Sequence, residues 1–190
     1  MTHAITVFLS LLGVAAQLAL LGVALAGVLA LAGLPEAFDR LRGLLWGYEL
    51  WLAFLVAAVA TGGSLFFSEV AGFVPCELCW FQRICMFPLS ILTLLIALAN
   101  DQRAVRYLLP LPAVGACIAL YQLLIEHGVV SESQSCSISA PGGCATKWID
   151  EFGYVTIPAL TLTGFLMLLV LFGFALSDVR PRARAAALKV

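Results

Sequence analysis

The stretch that decides how this chain is interpreted is Pro75-Cys76-Glu77-Leu78-Cys79-Trp80-Phe81-Gln82-Arg83. It places two cysteines, three residues apart, just before a long apolar segment, with an arginine four residues after the second cysteine. Two cysteines at this spacing can close or open a small ring with little backbone movement, which is the geometry of redox pairs. The stretch therefore predicts a dithiol at a membrane surface, beside a cation that could hold an anionic or electron-rich group.

The composition of the 190 residues is that of an integral membrane protein. Hydrophobic residues make up 63% and charged residues 11%, and the mean hydropathy is +1.06. A soluble domain needs more polar surface than this. The net charge of −1 gives no reason to expect nucleic-acid binding. Six cysteines in so apolar a chain are too few for a small secreted disulfide scaffold, and the length predicts one domain.

Apolar segments long enough to cross a bilayer occur five times. They are residues 4–34, 50–68, 84–100, 107–125 and 158–177. A cleaved signal peptide is the alternative for the first segment, but residues 1–3 lack lysine and arginine and the apolar run is too long. Pro88 is expected to kink the third span near its start.

Lysine and arginine counts orient these spans. The connection 35–47, the turn 101–106 and the tail from residue 177 hold two, two and four basic residues. The two cysteine-bearing loops hold only Lys147. The basic side is therefore predicted to be cytoplasmic, with both cysteine loops and the N-terminus outside and the C-terminus inside.

The start of the third span brings a thiol and a cation together. Cys79 is expected at the N-terminal end of that helix, where unpaired N–H groups and the helix dipole favour a thiolate. Arg83 then lies one turn further on the same face. An arginine this close to hydrocarbon is costly unless it is paired or functional, and it could stabilise the thiolate and donate hydrogen bonds to a quinone carbonyl. The alternative is a snorkelling arginine that only touches headgroups.

A second cysteine pair, Cys136 and Cys144, encloses seven residues of the long outward loop. This loop is polar and glycine-rich, so we expect it to expose a disulfide to a soluble partner. An ordinary structural disulfide is the alternative in an oxidising compartment. Two pairs on one side of the membrane suggest a relay by thiol–disulfide exchange.

Other residues within or at the ends of spans have simpler interpretations. Cys85 and Cys117 are expected to behave as small apolar residues. His127, at the outward end of the fourth span, could move protons or hydrogen-bond a quinone, or could simply form a solvated helix end. The run Thr61-Gly62-Gly63-Ser64 would let another helix, or a flat ligand, approach the second span closely.

Two ordered motifs resemble the DsbB family of disulfide-bond formation proteins, and more closely its BdbC-like branch. The first is the stretch from Pro75 to Arg83, followed by Met86-Phe87-Pro88-Leu89. The second is Cys136-Ser137 through Cys144-Ala145-Thr146-Lys147-Trp148-Ile149, followed by Phe152-Gly153-Tyr154-Val155-Thr156-Ile157-Pro158.

The resemblance implies an all-α integral membrane protein, a four-helix transmembrane bundle with one extra N-terminal transmembrane helix. It divides the chain into that extra helix and a cytoplasmic connection (1–47), the DsbB-like bundle (48–177) and a basic cytoplasmic tail (178–190). The purpose of the N-terminal span does not follow from the resemblance: it could cover a helix face, contact a partner or serve insertion.

The function that the resemblance implies is that of a thiol oxidase in the bacterial cytoplasmic (inner) membrane. Such proteins reoxidise a DsbA-like, thioredoxin-fold partner outside the cytoplasm and pass the electrons to a quinone, either ubiquinone or menaquinone. Cys136 would meet the partner, Cys144 would exchange with Cys76, and Cys79 would hand electrons to the quinone. Gln82 and Arg83 match the family's pair beside the quinone. The loop of the second pair is much shorter here than in the DsbB type, so either of its cysteines could meet the partner.

Three alternatives use the same residues differently. A quinone reductase resembling vitamin K epoxide reductases would share these parts but prefer another substrate. A metal-binding or metal-transporting membrane protein could use four thiolates, although an oxidising compartment and the lack of an intramembrane carboxylate or histidine path argue against it, and we assign no metal ligand. A structural membrane protein with two inert disulfides is the third.

Overall fold

Helices dominate the computed structural model of the chain, which describes residues 2–139 and 141–187 and gives only the backbone of residues 139 and 178–187. In this part of the chain the α-helices are α1 (Thr2–Leu31), α2 (Glu36–Leu45), α3 (Glu49–Leu65), α4 (Glu77–Ala99), α5 (Val105–Leu108), α6 (Pro110–Glu126), α7 (Gln134–Ser139) and α8 (Ile157–Ala187). A π-helical turn, Phe66–Val70, extends α3, and a 3₁₀ turn, Gln102–Ala104, precedes α5. No β-strand occurs in the described residues, only an isolated bridge between Glu151 and Val155.

Four helical segments are long and apolar enough to cross a membrane. They are Thr2–Leu31, Glu49–Val70, Glu77–Ala99 and Ile157–Ser177. Residues Gln102–Leu108 and Pro110–Glu126 make a fifth if they count as one span bent by 41°. The bend falls at Pro110, which cannot donate a backbone hydrogen bond to the preceding turn. The predicted fold class, an all-α membrane protein, is confirmed.

Two segments differ in detail from the expectation. The fifth span continues as α8 to Ala187, so the backbone of residues 178–187, expected to be the start of a basic tail, is helical, while Lys189 lies outside the described residues. Pro88 lies inside α4 without ending it, and the expected kink stays a prediction.

The helices α3, α4, α6 and α8 pack as a ring in which each contacts two neighbours. Their core includes side chains with no exposed surface, Ala53, Leu89, Ala119, Phe165, Leu168 and Phe172. A Cβ atom on Gly115 of α6 would overlap the Phe165 ring of α8, so this pair of helices depends on a residue without a side chain.

The connection 35–47 contains the ten-residue helix α2, which the sequence analysis did not predict. Acidic residues in its first turn and Arg42 in its last turn complement the helix dipole. Its aromatic ring, Phe38, lies 5.6 Å from that of Phe174, and Arg42 Nη2 donates to the carbonyl of Ser177 at 3.0 Å. These contacts fasten α2 to the end of the bundle opposite the cysteine loops.

The extra helix α1 lies outside the ring, against α8 and α2. It buries only Thr6, Ser10 and Ala26, and the side chains on its outer face are exposed. Gln17 Nε2 donates to Thr163 Oγ1 of α8 at 3.2 Å. The predicted arrangement of four helices plus one is therefore present.

Candidate redox centre

The first cysteine pair forms the N-terminus of α4. Cys76 is the N-cap residue, with extended backbone (φ −75°, ψ 172°), and its sulfur accepts a hydrogen bond from the backbone N–H of Cys79 at 3.4 Å. The Cys76 sulfur caps the first turn and the helix begins at Glu77, so Cys79 lies in that first turn. Both cysteines thus lie where the helix dipole is positive.

The two sulfur atoms of this pair have different surroundings. They lie 2.6 Å apart; Cys76 is buried, whereas Cys79 is half-buried and borders a cavity. The hydrogen bond with Cys79, followed by burial, raises the pKa of Cys76 far above its usual range. When the reduced pair holds a single proton, that proton therefore stays on Cys76, and the charge is left on the sulfur that faces the cavity.

The second pair is a closed disulfide between Cys136 and Cys144, with Cα atoms 5.5 Å apart. The expectation that its loop exposes the disulfide is wrong for this conformation: the two residues are only 1% and 2% exposed, and they pack against Cys76. The physical reason is that α7 packs against the start of α4, where Ser135 Oγ donates a hydrogen bond to Glu77 Oε2 at 2.6 Å. The two cysteine pairs are therefore in contact.

Gln122, which sequence analysis missed, joins the two pairs. This buried side chain of α6 places Nε2 3.3 Å from the Cys76 sulfur, 3.6 Å from the Cys79 sulfur and 3.5 Å from the carbonyl oxygen of Cys144. Its Oε1 accepts a hydrogen bond from Gln82 Nε2 at 2.8 Å. The available signal was an amide within an apolar span, since polar residues at such positions are costly unless they serve a purpose.

Arg83 lies one turn below Cys79 and is only 9% exposed. Its Nε donates to Ser64 Oγ and its Nη2 to the Ser64 carbonyl, both at 2.9 Å, while Trp80 and Phe87 place their rings 5.2 and 5.9 Å from the guanidinium carbon. No carboxylate of the described side chains lies within 4.0 Å of it, and within that part of the chain Nη1 makes no hydrogen bond. A buried cation thus keeps donor capacity for a further acceptor.

A largely apolar cavity of about 310 Å³ adjoins Cys79, Gln82 and Arg83. Its walls come from α1, α3, α4 and α8. At the end of the cavity nearest the cysteine loops, the rings of Phe67, Phe73 and Trp148 form a continuous stack, with centroids 5.9 and 5.2 Å apart. Ligand pockets of about 300–1,000 Å³ typically combine apolar walls with a few placed polar groups, and this cavity has that character.

The predicted site residues thus fall into two touching groups. Cys79, Gln82 and Arg83 border the cavity, while Cys76, Cys136 and Cys144 form the buried sulfur cluster beside it.

The remaining candidates lie outside both groups. The exposed His127 places Nδ1 2.8 Å from the carbonyl of Leu123 in its own helix and does not line the cavity, which favours a solvated helix end. Cys85 is buried in the core, and Cys117 faces outward from the bundle. In the described part of the chain no group of three or more His, Cys, Asp or Glu residues could hold a metal ion.

In a comparison with known proteins, residues 48–175 match the family model described as disulfide bond formation protein DsbB. A probable disulfide formation protein of Deinococcus radiodurans is 40% identical over 133 residues, covering 66% of this chain and 87% of the relative. Disulfide bond formation protein C of Bacillus subtilis is 38% identical over 123 residues, covering 64% and 87%. A probable disulfide formation protein C of Bacillus cereus is 44% identical over 124 residues, covering 65% and 88%. No solved structure matches the chain.

Proposed function

The chain belongs to the DsbB family of disulfide bond formation proteins, and we propose that it oxidises the dithiol of a DsbA-like, thioredoxin-fold partner and passes two electrons to a membrane quinone. The observation that carries this proposal is the contact between the two cysteine pairs, with Cys79 and Arg83 at the mouth of an apolar cavity. The pair Cys136 and Cys144, called the outer pair below, accepts electrons from the partner. The pair Cys76 and Cys79, called the inner pair, delivers them to the quinone.

The first step is an exchange at the outer pair. A thiolate of the reduced partner attacks Cys136, which breaks the Cys136–Cys144 bond and forms a mixed disulfide. The second partner thiol then attacks the partner's own sulfur in that bond, so the partner leaves oxidised and the outer pair is left as a dithiol. Because the disulfide is buried here, this step requires α7 to move off Cys76, and the exposed contact between Ser135 and Glu77 is one bond that must open.

The second step transfers the electrons inward, starting from a closed Cys76–Cys79 disulfide. The Cys144 thiolate attacks Cys76 and displaces the Cys79 thiolate; Cys136 then attacks Cys144 and displaces Cys76, which takes up a proton. The product has a closed outer disulfide and an open inner pair. The arrangement of the sulfurs supports this order, because Gln122 contacts both the Cys76 sulfur and the Cys144 backbone, and because the pKa of Cys76 is raised.

The third step uses the cavity. A quinone bound there would accept two electrons and two protons. The chain supplies the electrons as Cys79 and Cys76 close their disulfide, one proton from Cys76 and one taken up from water. Arg83 is placed to hold a carbonyl oxygen with its remaining donors, and its positive charge stabilises the Cys79 thiolate before the transfer. The residues present fit a flat apolar ring that carries carbonyl acceptors.

We place the protein in the bacterial cytoplasmic membrane, with the cysteine loops outside and the C-terminus in the cytoplasm. The N-terminus of α4 and the C-terminus of α6 put both pairs at one end of the bundle, whereas the turn with Arg103 and Arg106 lies at the other end. The division into residues 1–47, 48–177 and 178–190 belongs to the same proposal.

An anaerobic turnover assay tests the proposal. Full-length protein in detergent is mixed with a reduced thioredoxin-fold partner and either ubiquinone or menaquinone, and quinol formation is followed by absorbance. We expect turnover that disappears in Cys79→Ser and in Cys136→Ser. Cys117→Ser, which changes an outward-facing cysteine, is the matched control and should keep full activity. A fully active Cys79→Ser protein, or no turnover with either quinone, would refute the proposal.

A further inference from the structure

One wall of the cavity lies outside the part of the chain that matches the family. Leu9, Leu12, Gly13 and Ala16 of α1 line the cavity, and their spacing puts them on one face of that helix. The family model begins only at residue 48. We propose that α1 is a structural part of the quinone site and determines which quinone ring fits there; this inference rests on the proposed function.

Specific contacts hold α1 in this position. Gln17 donates to Thr163 Oγ1 at 3.2 Å, and its Oε1 accepts a hydrogen bond from the hydroxyl of Tyr154 at 3.3 Å. Gly13 faces Leu160 of α8 so closely that a Cβ atom there would overlap the leucine side chain. These contacts fix α1 against α8 and the outward turn, on the side where its lining face meets the cavity.

The opposite edge of this wall meets α3 at the glycine pair noted in the sequence. A Cβ atom on Gly63 would lie 3.4 Å from Leu9 Cδ1, so the Leu9 side chain of α1 reaches α3 at that point. Gly63 and Ser64 both line the cavity, and Ser64 binds Arg83. Leu9 therefore extends the wall that α1 forms beside α8 as far as α3, next to the serine that binds the guanidinium.

The chemistry of the wall limits what α1 can do. Its lining side chains are apolar, whereas Cys79, Gln82 and Arg83, which carry the chemistry, all belong to α4. Changes in α1 should therefore alter the binding and size selectivity of the site, measured as KM for the quinone, and leave kcat unchanged. A helix that served only membrane insertion or bundle packing would show no such preference.

The chain offers a matched pair of variants for the test. Leu12 lines the cavity and its neighbour Leu11 does not, although the two residues are similarly exposed, at 40% and 52%. Leu12→Ala widens the cavity, Ala16→Phe narrows it, and Leu11→Ala is the control. Each full-length variant is assayed with a monocyclic benzoquinone and a bicyclic naphthoquinone that carry the same short tail. In each case, reduction of the inner pair by the partner without quinone is measured as a check of folding.

We expect the ratio of the naphthoquinone KM to the benzoquinone KM to fall about tenfold in Leu12→Ala and to rise about tenfold in Ala16→Phe, since methylene-sized changes in apolar pockets have effects of this order. Leu11→Ala should keep the ratio of the unmodified chain. All variants should keep the rate of the quinone-free thiol exchange. A photoreactive short-tail quinone should also label the peptide that spans α1 in the unmodified protein.

The outcomes separate the two proposals. If the unmodified chain reduces neither quinone, the proposed function itself fails. If it reduces quinone but both lining variants keep the KM ratio of Leu11→Ala, the role of α1 is refuted while the function stands. If both lining variants lose the thiol exchange, they are misfolded and the photoreactive quinone decides instead. Labelling of the unmodified chain that is confined to α3, α4 and α8 would overturn the inference.

Discussion

Replacement of Gln122 by leucine should separate its two roles, one in the redox chemistry and one in stability. Its amide N–H groups face both sulfurs of the inner pair, and its Oε1 accepts from Gln82. The amide stabilises the inner pair most when that pair is reduced and carries a negative charge. Without it, the reduced state is less stable, so the reduction potential of the Cys76–Cys79 pair should fall.

The size of this effect follows from the contacts. A hydrogen bond to a charged group contributes about 1.5–3 kcal/mol. For a two-electron couple about 1.4 kcal/mol corresponds to 30 mV, so the potential should fall by about 30–65 mV. Gln122→Leu also leaves the buried Gln82 Nε2 without its acceptor, which should lower the free energy of unfolding by about 1–3 kcal/mol.

The double variant Gln82→Leu/Gln122→Leu distinguishes these two effects. Replacing both partners of a buried hydrogen bond by apolar groups is nearly neutral, so the double variant should regain most of the lost stability. Its potential should stay low, because the donor to the sulfurs is still missing. Tyr121→Phe, on the exposed side of the same helix, is the control and should change neither quantity.

The assay equilibrates purified protein anaerobically with thiol–disulfide redox buffers, quenches it with acid and labels free thiols with a mass tag. The peptide that carries Cys76 and Cys79 reports the fraction reduced, and denaturant unfolding reports stability. A potential for Gln122→Leu within about 10 mV of the unmodified value would refute the reasoning, since it would correspond to less than 0.5 kcal/mol. A double variant that regains the potential together with the stability would refute it as well.

Two further predictions concern packing and ionisation. Gly115→Ala should destabilise the bundle by about 1–3 kcal/mol, because the new methyl group overlaps the buried Phe165 ring. Gly173→Ala on α8 is the control: its methyl group has no neighbouring atom within 4 Å, so the free energy of unfolding should stay the same or rise. Equal unfolding free energies for the two variants in a denaturant titration would contradict the close contact between α6 and α8. In the reduced protein, the raised pKa of Cys76 keeps it a thiol, so its alkylation should be slower than in the unfolded chain from about pH 7 to 9. Its rate should still rise about tenfold per pH unit at pH 9, where the rate in the unfolded chain levels off because an ordinary thiol has a pKa of about 8.5. Equal alkylation rates of Cys76 in folded and unfolded protein, measured by mass spectrometry of the peptide with Cys76 and Cys79, would contradict this assignment.

The local chemistry of the site could be predicted from sequence. Cys76, Cys79, Gln82 and Arg83 lie within eight consecutive residues, so a single helix start determines their relative placement, whatever the rest of the bundle does. The spans were equally predictable, because the length and polarity of a segment decide whether it can cross a bilayer. The helix α2 was missed because its ten residues include charged ones and show no long apolar run.

Contacts between distant segments were decided only by the tertiary structure. Gln122 reaches the cysteines from 43 and 46 positions away, and Ser64 reaches Arg83 from 19 positions away. The burial of the outer disulfide depends on where α7 lies against α4, and the wall that α1 adds to the cavity depends on its packing against α8. Sequence determines these elements through short-range geometry and polarity, whereas the partners of each side chain across the bundle depend on helix packing, which no local pattern encodes.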